Sequence, residues 1–310
     1  MILRASRARA IVGADMNSIS PRADAALHAL FLLGCLVTLA PIWLIIAASI
    51  SNEQELIARG YGVWPRGFSL NAYSYLFSKG SMIGTAYRNT AVATLSGTVL
   101  SVLSVGLYAY PLSRPDFRYR NFFTFVSFFT MLFNGGIVSY YVVCRHILGI
   151  GNSLTALFLP ASFSAFWVIV MRTFYKTNVP DSVIESARID GAGEWRTLFQ
   201  IVMPLALPGL ATVALFASIG IWNNFFLCML LVDEAKYFNL QYTIYTTLNN
   251  IRFLKEMAAQ VGALSVPLSE LPAETFRMGM AVVTVGPIIM AYPFFQKYFI
   301  KGLTIGAVKG

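Results

Sequence analysis

A chain of 310 residues that is 57% apolar and only 12% charged lacks the polar surface of a water-soluble protein, in which charged residues make up about a quarter of the total. Its net charge of +9 is not a nucleic-acid footprint, because the cations flank long apolar runs instead of clustering on a hydrophilic face. Those runs are roughly 20 residues long, enough to cross a ~30 Å hydrocarbon layer, so the expected fold is all-α and polytopic, with about six transmembrane helices.

Residues 1–24 carry Arg4, Arg7, Arg9 and Arg22 and no packing pattern. They read as an amino-terminal segment preceding a membrane domain over 25–310. Spans are expected near 27–50, 89–112, 122–143, 154–174, 205–232 and 278–298. The first run is too long for the apolar core of a cleavable signal peptide, about 7–15 residues, and reads as an uncleaved helix. Between the spans, Arg114, Arg118 and Arg120, then Arg172, Lys176, Arg188 and Arg196, then Lys297, Lys301 and Lys309 fall on one side together with the amino-terminal arginines. Short basic connections stay in the cytoplasm, so both termini are expected there. The connection over 51–88 holds Trp64, Pro65, Tyr73 and Tyr75 and suits a folded loop at the outer membrane surface, where amphipathic aromatics are favoured. A second outer connection, 233–277, opens with a helical pattern at Tyr242, Tyr245, Leu248, Ile251 and Leu254. Cys35, Cys144 and Cys228 lie in or beside apolar runs without paired spacing, and His28 and His146 are isolated, so no metal site is expected.

The stretch 185–204 is an amphipathic island with acidic residues between two apolar runs. Gly191 permits a turn that a residue with a Cβ would resist. Ile189, Ala192, Leu198, Phe199 and Val202 keep an apolar stripe at helical spacing, while Glu185 and Asp190 stay on the wet side. Glu185-Ser186-Ala187, then Asp190-Gly191-Ala192, then Phe199, Ile201 and Pro204 resemble the EAA loop of binding-protein-dependent ABC importer permeases. Ser186 is the one departure, a small residue in place of another. The resemblance implies a type I importer fold in which a cytoplasmic coupling helix, within a loop at about 177–204, seats in a groove of the ATPase, with Glu185, Ser186, Ala187, Asp190, Gly191 and Ala192 as the coupling residues.

Further likeness lies in Phe133-Asn134-Gly135-Gly136-Ile137-Val138-Ser139-Tyr140-Tyr141, Leu148-Gly149-Ile150-Gly151-Asn152-Ser153, Met171-Arg172-Thr173-Phe174 and the tail from Tyr292 to Gly310. These stretches are similar to the maltose-type permeases that serve complex oligosaccharides, among them the second permease of alginate oligosaccharide importers. The branch often has Pro where Ser139 stands. Implied partners are a second permease, an ATPase homodimer or heterodimer that binds ATP and Mg, and a periplasmic solute-binding protein. Implied too are a place in the bacterial inner membrane and an acidic, uronate- or alginate-type cargo.

No phosphate-binding loop of the form Gly-x-x-x-x-Gly-Lys-Ser/Thr occurs, so ATP hydrolysis falls to another subunit. No nucleophile elbow or Cys-His pair suggests an enzyme. The rival class, a secondary transporter without an ATPase, calls for an ionisable residue in mid-membrane, and none of the expected spans has one. A sugar path needs amides, hydroxyls and aromatics, so Asn134, Tyr140, Tyr141, Trp167, Trp222, Asn223 and Asn224 are the candidates. Each has a plainer alternative: Asn223 and Asn224 as bonds between helices, Tyr140 and Tyr141 as an aromatic belt. Asn134-Gly135-Gly136 is expected to loosen the third span. Arg145, near the outer end of that span, could attract a carboxylate or simply flank it. Gly97, Ser101 and Ser104 suit close helix packing.

Overall fold

A computed structural model describes residues 21–78, 80–261 and 274–307; the expected amino-terminal segment lies largely outside them. The described residues are helical apart from turns and a single bridge between Ser51 and Phe68. The organising element is the fourth helix. In chain order come α1 (Pro21–Ser49), two short helices α2 (Glu53–Arg59) and α3 (Asn71–Ser78), and then α4 (Gly80–Ser113). At 1.5 Å per residue, α4 is about 50 Å long, enough to pass through the whole bundle.

α4 can serve as the axis because its surface is small where others cross it. A Cβ at Gly97 would lie 2.5 Å from Ile221 Cδ1 and 2.8 Å from Phe158 Cβ, so those groups sit against bare backbone. One turn on, Ser101 is buried, and the Ser104 hydroxyl donates to the Ser162 carbonyl at 3.2 Å. This small-residue seam is the one expected from the sequence. Val105, Ala109 and Leu112 continue it into the main core with Val168, Met171 and Tyr175 of α7 (Ala165–Asn178) and Leu210 and Val213 of α11 (Leu207–Trp222).

Only α1 and α4 are unbroken helices long and apolar enough to span among the described residues; three more candidate spans are bent pairs. The expected continuous fourth and fifth spans are therefore corrected, while the third breaks where the sequence led one to expect it to loosen. The third divides into α5 (Arg120–Leu132) and α6 (Gly136–Val142), continued by a π-turn through Val143–Ile147, with a 117° bend at Phe133-Asn134-Gly135. Gly136 there has φ +80°, and the Asn134 amide oxygen accepts from its N–H at 2.9 Å, as the sequence led one to expect. The fourth opens with two 3-10 turns, Leu154–Leu157 and Leu159–Ala161, bent 50° from α7. Pro160 removes a backbone donor within that stretch.

The fifth span breaks twice. A 79° bend at Ala206, between Pro204 and Pro208, separates α11 from α9 (Glu194–Thr197), a π-turn (Leu198–Val202) and α10 (Met203–Leu205). At its other end α11 stops at Trp222, and α12 (Phe226–Leu231) restarts with the Asn224 amide oxygen accepting from Leu227 N–H at 3.0 Å. The expected sixth span, 278–298, falls inside α14 (Glu274–Ala307), which contains Pro287 and Pro293 and is not one of these five candidates.

At the end of the bundle where α4 begins, polar side chains tie the connections down. Glu53 accepts from the Glu274 and Thr275 amides at 2.9 and 2.8 Å, so a carboxylate from α2 caps α14, where a helix amino terminus favours negative charge. Trp43 Nε1 donates to the Val63 carbonyl at 2.8 Å. The expected folded connection over 51–88 therefore contains α2, α3 and a turn pinned to α1 and α14. The helical pattern from Leu240 is α13 (Leu240–Val261), joined to α4 by the Thr90 hydroxyl, which accepts from Leu240 N–H at 2.8 Å.

Gly97→Leu is expected to lower thermal stability in detergent, since overpacking costs about 1–3 kcal/mol and the neighbours include a backbone-proximal Cβ. A Cβ at Gly84, which is exposed, meets nothing within 4 Å, and Gly84→Leu should melt like the parent. Equal melting of the two variants would remove the seam as the reason for the packing.

Candidate functional site

The 181–197 stretch folds as a helical hairpin. Pro180 leads into α8 (Asp181–Ile189), whose first residue is an acid placed where the helix dipole favours it. At its far end the Gly191 N–H bonds the Arg188 carbonyl at 3.0 Å and the Ala192 N–H bonds the Ala187 carbonyl at 2.9 Å, with Gly191 at φ +79°. Those paired bonds are a Schellman cap, which needs a left-handed residue after the last helical one. A Cβ at position 191 would meet nothing within 4 Å, so the demand for Gly is one of backbone conformation rather than space.

The turn decides which side chains the hairpin presents. Ile184 and Ala187 are buried against the bundle, while Glu185, Ser186, Asp190 and Gly191 face out and Ala192 is half-buried. The expected apolar stripe does not hold together: Leu198 and Val202 are buried, but Ile189 is 86% exposed and Phe199 is 46% exposed. A stripe at helical spacing presumes a single helix axis, and the cap at Gly191 redirects the chain before α9. Trp195, which the sequence reading passed over, is 69% exposed and stacks on Phe199 with ring centres 6.0 Å apart. Ile189 and Trp195 are large apolar side chains left exposed on the same hairpin that presents Glu185 and Asp190, a composition in keeping with packing on another protein.

The candidate path residues fall into separate groups. Asn134 is exposed at the bend of the third span, and Tyr140 and Tyr141 follow on α6. Tyr141 lies 5.8 Å from the Arg145 guanidinium and packs edge-on to His146. Trp167 of α7 stacks on Phe216 of α11 at 5.0 Å. Trp222 is buried and donates through Nε1 to the Thr284 carbonyl at 3.1 Å, which makes it first a packing residue. It also borders a cavity of about 280 Å³ between α4, α11 and α14. The expectation that Trp222, Asn223 and Asn224 sit in mid-helix is corrected, since they occupy a helix break. Asn224 caps α12 there, while Asn223 is exposed, with its amide oxygen accepting from Gln241 of α13 at 3.2 Å.

Arg145 is bound within the protein. Its guanidinium pairs with Asp233, whose backbone N–H donates to the Asn152 side chain at 2.6 Å. The hydrogen bond from Arg145 holds the Asp233 carboxyl below the usual carboxylate range. This clasp joins residues 88 positions apart and leaves Arg145 as a partnered cation rather than a free attractor of carboxylates.

Residues 102–305, which include α7, the hairpin and α11, match the family model described as binding-protein-dependent transport system inner membrane component. The chain belongs to that family. It is 33% identical over 287 residues to the polygalacturonan/rhamnogalacturonan transport system permease protein YtcP of Bacillus subtilis, covering 93% of this chain and 98% of that one. It is 34% identical over 277 residues to protein LplC of the same organism, covering 88% and 90%. A solved structure, titled as a bacterial ABC transporter involved in the import of the acidic polysaccharide alginate, contains a chain that superposes with a TM-score of 0.74 at 30% identity. That match covers 92% of this chain and 99% of that one. The protein is thus a polytopic permease of the type I ABC class and not an enzyme. Such a permease works with a partner permease, a separate ATPase and a substrate-binding protein.

Gly191→Val is expected to speed amide hydrogen exchange in the last turn of α8, because a β-branched residue in the left-handed region costs about 1–2 kcal/mol. Gly193→Ala, at φ −72° with open space around it, should exchange like the parent. Unchanged exchange in Gly191→Val would mean that the turn does not depend on the Gly.

Proposed function

We propose that this permease imports an acidic, uronate-containing oligosaccharide, delivered by a periplasmic binding protein and driven by an ATPase dimer docked on the 181–197 hairpin. The observation that carries the cargo is the pair of relatives whose names specify polygalacturonan/rhamnogalacturonan and alginate, each covering more than nine-tenths of this chain. The former is built on galacturonate and the latter on other uronates, so the shared chemistry is a sugar bearing a carboxylate.

In this reading the amino-terminal segment 1–24, both termini and the hairpin face the cytoplasm, in keeping with the basic connections, and residues 25–310 form the membrane domain. Glu185, Ser186, Ala187, Asp190, Gly191 and Ala192 make up the docking edge, with Ile189 and Trp195 as its apolar centre. ATP closes the ATPase dimer, the hairpin follows, and the outward and inward openings of the paired permeases exchange. The nucleotide need only bind one of the two states more tightly. Asn223, exposed beside Gln241, and Asn134 with Tyr140 at the bend of the third span, supply uncharged donors and a ring for sugar hydroxyls. Trp167, Tyr141, Trp222 and Asn224 support the walls of the path. Carboxylates entering a medium of low polarity need donors or cations, and with Arg145 committed to Asp233 those must come from Asn223, the partner permease or water.

Liposomes carrying the whole transporter should hydrolyse ATP faster with uronate oligomers on their binding protein than with neutral oligosaccharides on theirs. Faster hydrolysis with neutral sugars would overturn the acidic cargo. At the hairpin, Glu185→Lys should weaken assembly with the ATPase more than Glu185→Ala does, since reversing a charge adds repulsion to the lost attraction. Equal assembly of the two variants would show that the contact is not electrostatic.

A further inference from the structure

Resting on the reading that the hairpin meets an ATPase, we propose that Arg188 is a positioning residue that fixes the hairpin to the end of α4, so that the two move as one part. Arg188 Nη2 donates to Asp116 Oδ2 at 2.6 Å and to Glu194 Oε1 at 2.9 Å. Asp116 lies just past α4, and the other oxygen of Glu194 accepts from the Tyr110 hydroxyl, on α4 itself, at 2.8 Å. The path from Asp116 through Arg188 and Glu194 to Tyr110 therefore begins and ends on the same helix terminus. It holds both strokes of the hairpin, α8 through Arg188 and α9 through Glu194. At the opposite end of α8, Asp181 Oδ1 accepts from Arg114 Nη2 at 2.7 Å, and that arginine side chain is 8% exposed.

These ties lie around a gap. A cavity of about 460 Å³ separates the hairpin from α4, bordered by Leu107, Pro111, Phe117, Trp195 and Leu198 as well as by the polar groups. Apolar contact through Ile184 and Leu198 anchors the hairpin to the bundle, but next to the cavity the polar groups are what span the distance. Ion pairs open to water add little to stability, and Arg188 is 42% exposed, so its two-carboxylate geometry matters more than its energy. The hydrogen bond from Arg188 holds Asp116 below the usual carboxylate range. A depressed carboxyl keeps the tie at neutral pH and loses it only as pH falls through that lowered value.

The test uses the whole transporter in liposomes, with Asp116→Asn, Arg188→Gln and the conservative Arg188→Lys, which keeps a cation between Asp116 and Glu194. Two quantities are read: sugar imported per ATP hydrolysed, and hydrogen exchange of residues 181–197. Asp116→Asn and Arg188→Gln should each lower the import ratio at least about fivefold, the lower end of typical site-to-site coupling, and speed exchange across the hairpin. Arg188→Lys should retain most of the import ratio and of the protection from exchange. Unchanged exchange and ratio in the two neutral variants, or a loss in Arg188→Lys as large as in Arg188→Gln, would overturn the proposal. Should the single variants fail to assemble, Tyr110→Phe removes one bond and no charge; it should lower the ratio in the same direction by less, and an unchanged ratio there would equally overturn the tie. If the unaltered transporter hydrolyses ATP without import, the ATPase-coupled reading fails, while the exchange measurement still decides whether Arg188 holds the hairpin.

Discussion

Backbone groups freed where a helix breaks inside a membrane bundle must find partners other than water, and this requirement shapes the permease. Non-helical backbone at that depth persists only within protein or beside an aqueous path. Side-chain amides and hydroxyls do much of the work here. Asn134 accepts from Gly136, Asn224 from Leu227, and the Asn239 amide donates to the Asn224 carbonyl at 2.6 Å. The Asn89 amide on α4 bonds the Lys236 and Phe238 carbonyls at 2.9 and 3.0 Å. Ser104 on the same helix reaches the Ser162 carbonyl. α4 is thus more than an apolar axis: Asn89 and Ser104 bond backbone carbonyls at two places where its neighbours leave helical geometry.

The same arrangement gives the hairpin, proposed above as the ATPase contact, and the helix breaks, proposed above as the sugar path, different local construction. The hairpin is built from short helices closed by a Schellman cap and locked to α4 and α7 through Ile184, Leu198 and Val202. The breaks near Asn134 and Asn223 leave amides on exposed backbone turns, where small rotations redirect a donor without unfolding a helix. The hairpin continues into α11 across the bend at Ala206, and the far end of α11 carries Trp222 and Asn223. Packed elements therefore join the proposed docking edge to the candidate sugar-binding amides.

Local chemistry was legible in the sequence; long-range geometry was not. Asp190-Gly191-Ala192 after an amphipathic run calls for a left-handed cap, and the structure has one. Asn134-Gly135-Gly136 foretold a break, and the span bends by 117° there. The division of the fourth and fifth spans escaped notice because hydropathy reports burial in lipid and is blind to the direction of the backbone. Asn223 and Asn224 carry the signal for the second break in span five, yet two amides are as compatible with bonds between intact helices. The exposure of Ile189 and Phe199 follows from the turn that separates them, so a stripe at helical spacing assigned their side chains wrongly. The Arg145–Asp233 clasp and the Arg188–Asp116 tie join residues 88 and 72 positions apart, a distance over which a single sequence carries no pairing information. Relatives named for pectic and alginate transport agree with the branch that the motifs suggested.

The central claim is that the 181–197 hairpin is the surface through which an ATPase drives this permease. A photoreactive amino acid at position 189, where the native isoleucine is 86% exposed, tests it most directly in membranes holding the assembled transporter. The account predicts a covalent adduct with the ATPase subunit from position 189 and none from position 64, at the opposite end of the bundle. An ATPase adduct from position 64, or none from position 189 in a transporter that imports sugar, would contradict it.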